Sequence, residues 1–198
     1  MALLSTIFPR PVITPPKCRG GLWLAVLTVS ALFTTRTFGQ SEFNEYQLKS
    51  VFLFNFAQFV EWPEKAFTDA GAPIVIGILG TDPLGVVLDE TVRDERAGGR
   101  RLIVRRFRRI EDVGVCHILF ISRSESTHLE AILSALKGRS ILTVSDINRA
   151  ALRGVMVRFV TEKKRIRLRI NLDEAKLAGL TISSKLLRPT EIVSTEKN

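Results

Sequence analysis

Two apolar runs constrain the fold of this chain more than any other feature. Pro73 to Gly80 reads Pro-Ile-Val-Ile-Gly-Ile-Leu-Gly, and Cys116 to Ile121 reads Cys-His-Ile-Leu-Phe-Ile. Neither alternates apolar with polar side chains, so neither has a face to offer to water. Short runs of this kind are strands covered on both sides, which calls for a largely parallel sheet with helices above and below it.

The segments between and around these runs supply the helices. Glu42 to Val60 reads as a helix, with Asn44, Gln47, Val51, Asn55 and Gln58 on one stripe. Phe52, Leu53, Phe54, Phe56, Phe59 and Val60 fill most of the remaining circumference, so several neighbours, or a second chain, must bury it. Pro63 disfavours helix at Trp62 and stops the element there. Asp82 and Pro83 predict the N-cap and first position of a short helix through Val92. Leu102 to Phe107 reads as a second strand, and Ile141 to Val144 as a further one. Ser124 to Lys137 reads as an amphipathic helix carrying Leu129, Ile132, Leu133 and Leu136 on one face and stopped at Gly138.

Past Gly154 the period changes. Ile166, Leu168 and Ile170 alternate strictly with Arg165, Arg167 and Arg169. With Val155, Val157 and Phe159 upstream, this predicts an antiparallel hairpin with one wet face. A short helix after Asn171 ends at Gly179, and a last turn spans Ser183 to Leu187. The expected fold class is therefore α/β: a single domain with a mixed β-sheet, helices on both faces and a C-terminal antiparallel hairpin. The expected organisation is a leader over 1–39, the domain over 42–190 and a tail over 191–198.

The leader reading rests on composition. Residues 1–39 contain no Asp or Glu; Arg10, Lys17 and Arg19 precede an apolar run from Gly21 to Phe33, and Thr37-Phe38-Gly39 precede Gln40. A basic start, a short apolar stretch and a small residue before the cut make a secretory signal peptide. The run falls short of the ~20 residues that span a bilayer. The competing readings are an uncleaved anchor and a mis-called start codon. The formal charge is +9. Removing Arg10, Lys17, Arg19 and Arg36 leaves 25 basic against 20 acidic residues. In an exported protein such an excess points to an anionic protein or membrane surface, not to nucleic acid.

Catalytic chemistry finds little to work with. The chain has two histidines, His117 in an apolar run and His128 on a polar segment, and after the leader only one cysteine, Cys116. No spacing forms a triad or a zinc site, no metal or cofactor is expected, and an enzyme is the weakest reading. Cys116 reads as a buried small hydrophobe, and a disulfide within the processed chain is excluded. The turn from Gly77 to Gly85 matches no dinucleotide or P-loop pattern, and Asp82 would repel a phosphate. Ser183-Ser184-Lys185 is no Ser–Lys pair, because residues so close along a helix do not face each other. Arg100, Arg101, Arg105, Arg106, Arg108 and Arg109 read either as a solvated strand edge or as a docking surface for an acidic partner.

Taken in order, several of these segments resemble the YfiR family of periplasmic proteins. The matching pieces are Phe59-Val60-Glu61-Trp62-Pro63, Ile76 to Gly80 with Asp82-Pro83, Cys116 to Ser122, Leu142 to Asp146, Ile170-Asn171-Leu172 and Ile182 to Leu187. The resemblance implies a dimeric α/β regulator in the periplasm. Such a regulator binds the sensor domain of an inner-membrane diguanylate cyclase and holds it inactive, and an OmpA-like lipoprotein sequesters it in turn. This chain departs from the family pattern in having a single cysteine after the leader and one Gly before the hairpin. Trp62, Arg101, Arg105, Arg106 and Lys185 are the expected partner-binding residues. The alternative is an envelope module that binds a small molecule at glycine turns beside the apolar strands. Amino-terminal sequencing of the protein from the periplasmic fraction is expected to begin at about Gln40; a full-length chain in the cytosol refutes the leader.

Overall fold

The computed structural model describes residues 38–163, 165–188 and 190–195, with side chains from 45 onward. The predicted leader lies outside them, apart from its last two positions. Helix α1 (Phe38–Phe59) is followed by β1 (Val60–Glu61), β2 (Ile74–Leu79), α2 (Gly85–Val92), β3 (Arg96–Ala97) and β4 (Arg100–Phe107). Then come β5 (Ile118–Ile121), α3 (Leu129–Ala135), β6 (Leu142–Ser145), β7 (Val157–Glu162), β8 (Arg165–Asn171), α4 (Leu172–Leu177), β9 (Thr181–Ile182), α5 (Ser184–Leu187) and β10 (Glu191–Val193). None of the described helices is long and apolar enough to cross a membrane.

Eight strands form one mixed sheet in the order β10-β8-β7-β6-β5-β2-β4-β3. The pairs β2·β4, β2·β5, β5·β6 and β6·β7 are parallel, while β7·β8 is the predicted antiparallel hairpin with Phe159 opposite Leu168. Every residue of β2, β5 and β6 is buried. One face packs against α1 and α2 through Leu53, Phe56, Leu84 and Leu88. The other packs against α3 through Leu129 and Ile132. The α/β class, the mixed sheet and the two helical layers all agree with the reading from sequence. β1 and β9 form a separate antiparallel pair, with Val60 opposite Ile182.

Three boundaries differ for local reasons. The helix predicted over Ser124–Lys137 is a 3₁₀ turn at Arg123–Glu125 and then α3. Ser124 Oγ accepts the Thr81 N–H at 3.0 Å and the Ser122 hydroxyl caps the turn, so these residues brace a neighbouring loop instead of winding α-helix. α2 starts at Gly85, because Asp82 Oδ1 accepts both Leu84 N–H and Gly85 N–H in a turn that precedes the helix. α1 ends at Phe59, since Val60 and Glu61 are taken into pairing with β9. Beyond position 190, β10 adds a parallel edge strand to β8.

Gly77 sits at the centre of β2 where no side chain fits. A Cβ there would lie 2.8 Å from Cys116 Sγ, 2.9 Å from Leu119 Cδ1 and 2.9 Å from Phe107 Cε2. Gly77→Ala is expected to destabilise the domain by about 1–3 kcal/mol through overpacking, measured as a lower urea midpoint with an unchanged slope.

Candidate functional site

The residues expected to bind a partner fall into two groups. On β4, Arg101 and Arg105 are exposed and form no ion pair among the described residues. Arg106 points to the opposite face and clamps α2. Its Nε donates to Asp82 Oδ2 at 2.7 Å, and its Nη2 donates to Asp89 Oδ2 at 2.6 Å and to the Gly85 carbonyl at 3.0 Å. The Asp89 hydrogen bond leads in raising its pKa above the ordinary arginine value, so this exposed guanidinium is tied to intramolecular partners.

Trp62 follows β1 and Lys185 follows β9, so the antiparallel pairing sets them at opposite ends of the β1·β9 pair. Trp62 is half-buried: its Nε1 donates to the His117 carbonyl at 3.1 Å, and its ring stands edge-on to the imidazole. Lys185 is exposed on α5. The structure therefore separates Trp62 from Lys185 and places both arginines on another strand.

His117 is fully buried. Its Nδ1 accepts the Val75 N–H at 3.0 Å, and its ring stacks on Phe67 with centroids 4.5 Å apart. Burial, working against the Ala66 carbonyl, holds this imidazole below its ordinary pKa, with the Arg100 charge adding to the depression. Cys116 is a free, buried thiol whose pKa is pushed up to about 12 by burial. Neither group is set up as an acid, base or nucleophile at neutral pH. Among the described residues no group of three or more His, Cys, Asp or Glu is placed to hold a metal ion.

The most organised polar centre lies where β5 and β6 end, and sequence reasoning missed it. Lys49, on α1, is 0% exposed. Its Nζ lies 2.6 Å from Asp146 Oδ2 and 2.7 Å from Glu45 Oε1. The ammonium also stands 4.3 Å from the centroid of the Tyr46 ring. Arg123 Nε reaches the same Asp146 oxygen at 3.3 Å, and the Tyr46 hydroxyl donates to it at 3.4 Å. Burial raises the Glu45 carboxyl, but the Lys49 hydrogen bond and charge outweigh it and leave the group below its ordinary value. Burial leads in raising the Tyr46 phenol, and the Asp146 charge adds to it. One signal was available in the sequence: Lys49 shares a stripe with Phe52, Leu53 and Phe56 at spacings of three, four and seven. A lysine on the buried face of a helix requires a carboxylate partner.

A family model described as YfiR/HmsC-like matches residues 46–189. The search of curated proteins returned no match.

Removing one member of a buried ion pair strands the other. Lys49→Met and Asp146→Asn are each expected to cost about 3–5 kcal/mol, whereas Lys49→Met combined with Asp146→Leu recovers much of the loss, as read by chemical denaturation. Glu45, held below its ordinary carboxyl value of 4.5, contributes stability above that pH and loses it as pH falls through the lower folded-state value. The acid limb of the stability profile should flatten in Glu45→Gln.

Proposed function

The chain belongs to the YfiR/HmsC-like family, whose known members regulate diguanylate cyclases from the periplasm, and we propose that it restrains such a cyclase by binding the enzyme's periplasmic sensor domain. The family match across 46–189 carries this reading. An OmpA-like lipoprotein that captures the regulator would release the cyclase. In the same reading the protein is a homodimer exported by its leader, and it acts by contact instead of catalysis.

The physics needs no reacting group. A protein that binds only the inactive conformation of a cyclase shifts the population toward that state by its differential affinity. Turning a balanced switch mostly off takes only a few kcal/mol. The exposed β4 arginines, Arg101 and Arg105, suit an acidic sensor surface; charges at the rim of such an interface steer encounter and select the partner. Trp62 and Lys185 offer separate contact points at the two ends of the β1·β9 pair. Exposed Leu48 and Val51 on α1 and Val86 on α2 supply apolar surface for a second copy.

Deletion of the gene in a strain that expresses it is expected to raise cellular cyclic di-GMP, and the purified protein should capture the sensor domain of a membrane cyclase. Arg101→Glu with Arg105→Glu should weaken that capture about tenfold or more without lowering the melting temperature. Unchanged cyclic di-GMP on deletion refutes the proposal.

A further inference from the structure

Beside the Lys49 centre opens a cleft of about 480 Å³, lined by Arg123, Ser126, Asp146, Asn148, Arg158 and Val160 among others. Arg123 follows β5 and Asp146 follows β6, so the cleft lies outside the carboxyl ends of two adjacent parallel strands. Open α/β sheets bind ligands outside the carboxyl ends of their strands, at the switch point that here is the neighbouring β2·β5 seam.

The charges around the cleft do not close. Lys49 and Arg123 between them answer Glu45 and Asp146. Arg158, on β7, has no carboxylate partner among the described residues. Its Nη2 donates to the neutral amide oxygen of Asn148 at 2.9 Å, and its buried Nε has no hydrogen-bond acceptor. Its cross-strand neighbour is another arginine, Arg169, which pairs with Glu191 at 2.8 Å. Burial first, and then the Arg169 and Arg123 charges, push the Arg158 pKa below its ordinary value, against a smaller opposing pull from Glu162 and Asp146. A partly desolvated guanidinium beside like charges is unfavourable until an anion joins it.

We propose that this cleft binds the carboxylate of a small organic acid, with Arg158 and Arg123 as its charge partners, Asn148 and Ser126 as polar contacts and Val160 as part of an apolar wall. The excess is one positive charge, which matches a single carboxylate better than a phosphate dianion with Asp146 in the lining. Planar guanidinium groups also pair with carboxylates through two parallel N–H donors. The site is independent of the cyclase interaction: it would stand if the chain regulated another partner.

Calorimetric titration at low salt tests this with benzoate, its neutral isostere benzamide, and inorganic phosphate. Benzoate is expected to bind saturably and benzamide not at all. Arg158→Gln and Arg123→Gln should each weaken benzoate about tenfold or more, while Arg93→Gln, on the far side of α2, should match the parent protein. Arg123 is 62% exposed, so its variant carries the test if Arg158→Gln fails to fold. The proposal is overturned if benzoate shows no saturable binding, if benzamide binds equally well, or if every folded variant at these two positions retains parental affinity. Phosphate binding more tightly than benzoate, with the same two variants impaired, overturns the carboxylate assignment.

Discussion

Strands β2, β5 and β6 lie side by side and present no residue to water. Apolar surface on both faces of a sheet must be roofed twice, and that requirement organises everything else. α1 and α2 cover one side, where Phe56, Phe120 and Phe159 meet with ring centroids 6.0 and 6.4 Å apart. α3 covers the other, over Leu119 and Ile121. Because these strands run parallel, their carboxyl ends share one edge. The segments carrying Gly80, Ser122 and Asp146 therefore leave the sheet together.

The double roof also explains the buried cation. α1 is apolar around most of its circumference, and seating it fully against the sheet takes Lys49 inside with it. An isolated ammonium there would cost several kcal/mol. Asp146 and Glu45 supply the compensating charge, one from the end of β6 and one from the preceding turn of α1. The same arrangement anchors the long amino-terminal helix to the middle of the sheet and shapes one wall of the neighbouring cleft.

The arginine run on β4 divides between groups that hold the frame and groups that face outward. Alternation along the strand turns Arg106 toward α2, which it holds at the surface through Asp82 and Asp89, and leaves Arg101 and Arg105 on the other face. Trp62 likewise serves packing with part of its surface, since its indole N–H is bound to the His117 carbonyl. The basic excess of the chain is thus partly held in intramolecular ion pairs and partly free at the surface.

The sequence alone determined the two-sided strands, the strictly alternating hairpin, the helix stops at Gly138 and Gly179 and the α/β class, because each is written in near neighbours along the chain. The resemblance to the family was also legible there, carried by short motifs in a fixed order. Tertiary structure decided what depends on distant partners. Ser124 abandons a helix to brace Thr81, Val60 leaves α1 to pair with Ile182, and Glu191–Val193 become a strand only because β8 offers an edge. Lys49 meets a carboxylate 97 positions away, and Arg158 lacks one because its neighbours across the sheet and the cleft are themselves arginines. Hydrophobic period is a local property of a chain, whereas the pairing of buried charges depends on which segments the fold brings within a few ångströms.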